Sequence, residues 1–131
     1  MIIQIIVLVI AFSGYSQNLV INPDFEDTIA CPMFFGDIVK ANGWSSYNNS
    51  PDYFNSCAPS CGWPSTCMGV PKNAFGFQMP FDGNAYSGIG TYNNQVPSSR
   101  EYLGTQLLNS LIIGRKYFVS AYFSRGNDFA S

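Results

Sequence analysis

Short runs in which hydrophobic and polar residues alternate occur along much of the chain, separated by turn residues. The clearest run covers residues 115–125, in which Tyr117, Val119, Ala121 and Phe123 alternate with Phe118, Ser120, Tyr122 and Ser124. A period of two is typical of a β-strand with one face towards a core. Shorter runs predict further strands at residues 18–21, 84–90 and 101–108. Helical periodicity is nearly absent after residue 17, so the pattern predicts an all-β fold, most simply a β-sandwich.

Residues 42–82 interrupt this pattern. They are rich in aromatic residues and cysteines and show no sustained alternation, so we expect a long loop there. Long loops in compact domains are usually functional or covalently stapled. This region is therefore the expected location of any ligand-binding surface.

The N-terminal segment predicts an export signal. Residues 2–12 are all apolar except Gln4, and small residues follow at Gly14 and Ser16. The run is shorter than the roughly 20 residues that span a bilayer. It fits a signal peptide covering residues 1–16, which leaves a single β-sandwich domain at residues 17–131 with no membrane span. A retained membrane anchor or a buried first strand are the alternatives. The predicted location is secreted or at the cell surface.

Four cysteines lie after this segment, at Cys31, Cys57, Cys61 and Cys67. An even number in an exported chain predicts disulfides, and four cysteines allow three pairings. The short loop between Cys61 and Cys67 contains a proline and favours a local bridge. The favoured pairing is therefore Cys31–Cys57 with Cys61–Cys67. Their spacing matches no common zinc site.

Composition narrows the function. Of 131 residues, 47% are hydrophobic, 16% are aromatic and only 11% are charged, with a net charge of −2 and no histidine. The few cations are scattered, which argues against nucleic-acid binding. The absence of histidine removes histidine-based acid–base and nucleophilic catalysis. Carboxylates are present, but no motif pairs two of them across a cleft as glycoside hydrolysis requires. We therefore expect a non-catalytic protein.

Aromatic and amide side chains in residues 42–82 are the candidate ligand contacts. A sugar ring packs its C–H face on an aromatic plane, while its hydroxyls need polar partners. Trp63 lies in the small cysteine-bounded loop and is expected to be exposed, whereas Trp44 follows a turn glycine and is expected to enter the core. The predicted ligand-binding residues are Trp63, Tyr53, Tyr47 and Asn55.

Several strings, in order, resemble a family of exported Bacteroidetes domains. They are Asn18-Leu19-Val20-Ile21-Asn22-Pro23-Asp24-Phe25-Glu26, Pro51-Asp52-Tyr53-Phe54-Asn55-Ser56-Cys57, Val70-Pro71-Lys72-Asn73-Ala74-Phe75-Gly76-Phe77-Gln78, Gly83-Asn84-Ala85-Tyr86-Ser87-Gly88-Ile89 and Arg100-Glu101-Tyr102-Leu103. The resemblance implies a galactose-binding-like jelly roll, similar to carbohydrate-binding modules, of the kind found in front of type IX sorting tails or OmpA-like domains. The segment between Cys61 and Cys67 departs from the family pattern.

The resemblance also implies a structural calcium. In carbohydrate-binding jelly rolls, a glutamate at the position of Glu26 helps to hold this ion, and Asp24 stands beside it. The implied function is a non-catalytic cell-surface module that binds a glycan or polysaccharide. The alternative is a structural or adhesive spacer that contacts cell-surface proteins and has no small ligand.

A jelly roll has about eight strands, and the pattern yields about five. We therefore expect residues 17–131 to form an incomplete domain, because the strand at residues 115–125 has apolar side chains on both faces and no later strand to cover them. Expressed alone, residues 17–131 are expected to be poorly soluble or molten, without a sharp melting transition.

Overall fold

The computed structural model describes residues 17–59, 67–93, 95–96 and 98–126. One 3₁₀ turn, Asp37–Lys40, is the helical element among these residues. The strands are β1 (Trp44–Asn48), β2 (Asp52–Asn55), β3 (Lys72–Asn73), β4 (Gly76–Phe77), β5 (Ala85–Gly88) and β6 (Tyr102–Thr105). The all-β prediction is thus confirmed at the level of fold class.

The strands form three small antiparallel sheets of two strands each. β1 pairs with β6, so that Trp44 lies opposite Thr105. β2 pairs with β5, and β3 forms a hairpin with β4. The first two sheets join residues at least 30 positions apart in the sequence, so tertiary contacts rather than local turns decide their pairing.

The prediction of a long loop over residues 42–82 is wrong, because four of the six strands lie in it. β2 shows why the pattern missed them. All four of its residues are buried, so the strand lacks the polar positions that produce alternation. β3 and β4 contain two residues each, too few for any period to appear.

The core lies where the 3₁₀ turn meets β2 and β5. The buried hydrophobic cluster consists of Ile38, Ala41, Tyr53 and Ala85, with Phe25, Trp44 and Leu103 packed against it. The Tyr53 hydroxyl donates a hydrogen bond to the Phe25 carbonyl at 2.8 Å, so the polar end of the ring is satisfied inside the core.

Trp44 is expected to enter the core, and the structure places it at the edge of the core, half-buried. Its ring is half-buried and stacks on Phe25 with 4.5 Å between the ring centroids. The indole Nε1 donates to the Asn22 carbonyl at 2.8 Å. The side chain therefore joins the N-terminal segment to β1 and leaves one part of the ring facing outwards.

The predicted strands within residues 84–90 and 101–108 are confirmed by β5 and β6. The strand predicted at residues 18–21 is wrong, since only Val20 makes an isolated bridge, to Leu107. The ladder does not extend because the chain turns at Asn22, which has a positive φ of 49°.

The strand predicted at residues 115–125 is also wrong. The structure assigns no strand to residues 106–126, and residues 115–126 are exposed. Alternation gives a segment the two faces of a strand, but a strand also needs backbone hydrogen bonds to a neighbouring strand. No described segment forms such hydrogen bonds with residues 115–126. The segment instead touches residues 75–81 at its far end, where Tyr122 stacks on Phe81.

The predicted Cys31–Cys57 disulfide is confirmed, with 5.6 Å between the two Cα atoms. It closes a loop with a sequence separation of 26 residues, which in the chain-entropy model stabilises the fold by about 3–4 kcal/mol. Cys67 is also disulfide-bonded. Its predicted partner Cys61 and the predicted ligand contact Trp63 lie outside the described residues.

Within the described residues, no helix is long and apolar enough to cross a membrane.

Candidate functional site

A groove of about 430 Å³ runs along the β1–β6 sheet. Its walls combine aliphatic, aromatic and hydroxyl or amide side chains, and none of the residues lining it is charged. The side chains that line it include Ile21, Ile29, Val39, Trp44, Ser45, Tyr47, Thr105 and Gln106. Such a surface suits a ligand that is itself uncharged, because a buried charge without a partner is costly.

Two glycines allow the groove to form. Gly43 has φ of 80°, and a Cβ on it would lie 2.7 Å from Cγ2 of Ile21. A Cβ on Gly104 would lie 2.8 Å from Cε2 of Tyr47. Side chains at these positions would therefore push Ile21 and the Tyr47 ring out of place.

Tyr47 is the most accessible aromatic residue of the groove. It is 73% exposed, although its ring rests against the Cα of Gly104 on the neighbouring strand. The sheet supports one side of the ring and leaves the other side to solvent. This arrangement gives a rigid aromatic surface beside the groove without burying it.

Some of the polar groups around Tyr47 already form hydrogen bonds within the protein. The Thr105 hydroxyl donates to the Gly43 carbonyl at 2.7 Å, so its oxygen keeps both lone pairs as acceptors. Trp44 is fixed by its bond to Asn22. The groove therefore combines a Trp44 ring held in place by a hydrogen bond with aliphatic side chains and a small number of hydrogen-bonding groups.

The structure places two other predicted ligand contacts in the core. Tyr53 is fully buried, and its hydroxyl accepts a 2.7 Å hydrogen bond from Nδ2 of Asn55. Oδ1 of Asn55 accepts from the Cys57 amide at 2.9 Å. Both side chains thus stabilise β2 and the turn that follows it, and neither presents a surface to a ligand. Of the four predicted contacts, Tyr47 alone is both described and exposed.

Glu26 and Asp24, the predicted calcium ligands, occupy a polar turn. Oε1 of Glu26 accepts from the Asn84 amide at 2.6 Å, which joins the first loop to the start of β5. Asp24 accepts from the Glu26 amide at 3.4 Å. Within the described ranges, no three acidic, cysteine or histidine side chains are placed to hold a metal ion, whereas Ca²⁺ takes six to eight oxygen ligands. Calcium binding at Glu26 and Asp24 stays a prediction, and the contact that Glu26 makes in this structure is the one to the Asn84 amide.

Asp52 is the most perturbed acid in the described residues. It is buried beneath the loop that begins the 3₁₀ turn, and its Oδ1 accepts from the Gly36 amide at 2.8 Å. Burial raises the pKa of Asp52 to about 6; the hydrogen bond from Gly36 opposes this, and the charges of Glu101 and Asp37 reinforce it. A raised pKa accompanies many active sites but also many structural acids. Here the carboxyl group faces the backbone rather than a cleft.

Comparison with known proteins returns no match: no family model, no curated protein and no solved structure is significantly similar to this chain.

The sequence did not predict that residues of β6, and Gln106 after it, would line the groove. Thr105 and Gln106 are far from residues 42–82 in sequence, and only the β1–β6 pairing brings them to Tyr47. Gly104 was the available signal, since a glycine inside a strand pattern often marks the close approach of another group.

Proposed function

We propose that this protein is a non-catalytic, exported binding module that holds a neutral glycan in the groove beside Tyr47. The observation that carries the proposal is the exposed Tyr47 ring, supported by Gly104 at the edge of an uncharged groove. Trp44 and the aliphatic side chains that line the groove add apolar surface beside the Tyr47 ring.

The chemistry of the groove suits a sugar. An aromatic plane packs against the C–H face of a pyranose ring. Ser45, Thr105 and Gln106 offer hydroxyl and amide groups that exchange hydrogen bonds with sugar hydroxyls without adding charge. Ile29 and Val39 add exposed apolar surface on which the C–H groups of a sugar could pack.

The proposal also includes export from the cell and a jelly-roll-like β-sandwich fold. The Cys31–Cys57 disulfide is of the kind that persists in oxidising compartments, which supports a secreted or cell-surface protein. The two antiparallel sheets around one small core support a jelly-roll-like β-sandwich. In this proposal, the predicted signal peptide at residues 1–16 directs the protein to the export machinery.

The test is binding to a panel of neutral plant, host and bacterial polysaccharides, measured by affinity electrophoresis and calorimetry. We expect Tyr47→Ala to weaken binding roughly three- to tenfold, the range of one aromatic stacking contact. Tyr92→Ala is the matched control, because Tyr92 is 68% exposed but lies outside the groove. The proposal fails if the folded protein binds no member of the panel, or if both variants lose affinity equally.

A second function is favoured by a separate observation. Residues 111–126 expose many apolar side chains that make few contacts with the rest of the protein. This favours a structural or adhesive spacer that makes protein contacts within a larger surface assembly and binds no small ligand. In that case neither tyrosine variant changes any glycan affinity, and attachment to the cell surface depends on residues 111–126.

A further inference from the structure

Ile29 and Val39, here called the aliphatic wall, line the groove from outside the β1–β6 sheet. Ile29 lies in the first loop and Val39 in the 3₁₀ turn, and they are 68% and 57% exposed. The Ile29 amide donates to the Lys40 carbonyl at 2.7 Å, and Thr28 forms an isolated β-bridge with Ala41. The backbone therefore holds the two segments together and fixes where the aliphatic wall meets the groove.

A plain hexose leaves the aliphatic wall without a complementary group. In the proposed function, the C–H face of the sugar packs on the Tyr47 ring, and the edges of the sugar then carry hydroxyl groups. A hydroxyl that loses water against Ile29 and Val39 gains no hydrogen bond from them, which costs free energy. The aliphatic wall therefore favours a sugar that carries an apolar group at its edge.

An acetamido substituent has both kinds of chemistry that the groove offers. Its methyl group matches the aliphatic wall, and its amide has one N–H donor and one carbonyl acceptor. Ser45 and Gln106 line the same groove and are exposed, and their hydroxyl and carboxamide groups each donate and accept hydrogen bonds. The groove thus contains partners for both polar atoms of the amide and an apolar surface for its methyl group.

The charges around the groove favour an uncharged sugar. None of the residues that line the groove is charged. Lys40, which lies beside the aliphatic wall, forms an ion pair with Asp37 at 2.8 Å. The Asp27 carboxylate accepts from the Asn42 side chain at 2.7 Å, next to Gly43 of the groove. A sugar with a carboxylate would approach this like charge without a cation in the groove lining to offset it, whereas an acetamido sugar is neutral.

We propose that the ligand of the groove is a chain of N-acetylhexosamine residues. The sugar ring stacks on Tyr47, and the acetyl methyl group packs on Ile29 and Val39. This inference rests on the proposed glycan-binding function and names the class of glycan. Chitin and the glycan strands of bacterial peptidoglycan both contain such residues, so they are the two sources of this chemistry.

The first test compares two neutral trisaccharides on the wild-type protein by calorimetry. Triacetylchitotriose and cellotriose have the same backbone and differ in the acetamido or hydroxyl group at C2. Removing one methyl group from water favours binding by a factor of about four. With the amide hydrogen bonds added, we expect triacetylchitotriose to bind at least fivefold more tightly.

The outcomes separate this inference from the proposed function. Equal affinity for the two trisaccharides, or tighter binding of cellotriose, overturns the N-acetylhexosamine assignment and leaves glycan binding in place. Binding of other neutral glycans but of neither trisaccharide does the same. A folded protein that binds no neutral glycan overturns both proposals.

The second test replaces the aliphatic wall. Ile29→Thr combined with Val39→Thr keeps two β-branched side chains and puts a hydroxyl in place of apolar groups. This double variant should bind triacetylchitotriose about five- to tenfold more weakly and cellotriose with less than a twofold change. Tyr47→Ala should weaken both ligands by the same factor, because the stacked ring is common to them. An equal loss of both affinities in the double variant overturns the assignment.

Val96→Thr is the matched control, because Val96 is 51% exposed but lies outside the groove. It should change neither affinity. Far-UV circular dichroism checks that each variant retains its β-structure. If the double variant does not fold, saturation-transfer NMR on the wild type decides: strong transfer to the acetyl methyl protons supports the assignment, and its absence overturns it.

The last measurement distinguishes the two sources. Wild-type protein is sedimented with insoluble chitin and with purified peptidoglycan sacculi, and cellulose serves as the polymer without acetamido groups. Retention on chitin or on sacculi, but not on cellulose, supports the assignment and identifies the source. Retention on neither acetylated polymer overturns it.

Discussion

At the scale of single residues, polar side chains define the interior as much as apolar ones do. Tyr53, Asn55 and Asp52 come from one four-residue strand, and all are buried with hydrogen-bond partners. No described buried side chain lacks a partner for its nitrogen or oxygen atoms. Because each of these buried polar groups has specific partners, the bonds fix the position of β2 and of the loops that it touches.

The raised pKa of Asp52 gives a prediction at this scale. The folded protein holds the Asp52 proton more tightly than the unfolded chain does, so the free energy of unfolding should fall as the pH rises from about 4 to about 6. Asp52→Asn keeps an oxygen acceptor for the Gly36 amide and removes the buried charge. We expect this variant to be roughly 1–2 kcal/mol more stable than the wild type at pH 7.5, after allowance for partial screening by water.

Urea unfolding followed from pH 4 to pH 8 measures this effect. The wild type should lose stability across that window, while Asp52→Asn should not. Asp37 does not obscure the result. Its burial acts to raise the pKa, but the hydrogen bonds from Lys40 and from the backbone outweigh it and hold the pKa below the usual value, so its contribution changes only in more acidic solution. A wild type that is equally stable at pH 4 and pH 7 contradicts the assignment.

At the scale of elements, close packing between strands explains the positions of the glycines. Gly88 ends β5 opposite Asp52, and a Cβ on it would lie 2.8 Å from Cε2 of the buried Phe54. Phe54 in turn packs against Phe75 and Tyr86, so its ring has little freedom to move. The β2–β5 sheet thus depends on the absence of a side chain at one position.

Gly88→Ala should therefore destabilise the protein by about 1–3 kcal/mol, the usual cost of overpacking a core. Gly90→Ala is the matched control, because a Cβ on Gly90 finds its nearest neighbour, Oε2 of Glu101, at 3.5 Å. Native-state hydrogen exchange of the β2 and β5 amides in the two variants measures the difference without requiring a sharp melting transition. Equal exchange rates in the two variants would show that Phe54 moves aside without cost.

At the scale of the whole molecule, burial and regular secondary structure are unevenly distributed along the described chain. All five residues from Pro51 to Asn55 are buried, and the other buried residues are spread between Pro32 and Ala85, whereas residues 106–126 form no described strand. Local stability follows buried contacts and backbone hydrogen bonds. The expectation that residues 17–131 melt without a sharp transition remains a prediction, and the small core is the feature on which it depends.

Hydrogen exchange tests this distribution. At a concentration low enough to keep the protein monomeric, the amides of β2 and β5 should exchange slowest, those of β1 and β6 should be intermediate, and those of residues 115–126 should exchange almost as fast as in an unfolded chain. Mass spectrometry of peptic fragments resolves the three groups. Slow exchange at residues 115–126 in the monomer would show that this segment is paired within one chain.

The sequence by itself determined the class of fold, two of the strands and one disulfide. Alternation at residues 84–90 and 101–108 is a local property, and an even number of cysteines after an apolar N-terminal run is enough to predict bridges. The aromatic character of Tyr47 was also visible. These features depend on neighbours in sequence or on side-chain chemistry alone.

Only the tertiary structure decided which aromatic residues are accessible and which alternating runs become strands. Tyr47 and Tyr53 have the same side chain, yet Tyr47 lies on the sheet surface and Tyr53 fills the core. Residues 115–125 have a clearer strand pattern than β2, but β2 has β5 beside it and residues 115–125 have no ladder partner in the described chain. A strand is a relation between two backbones and burial is a relation between many side chains, so neither can be determined from one segment of sequence alone.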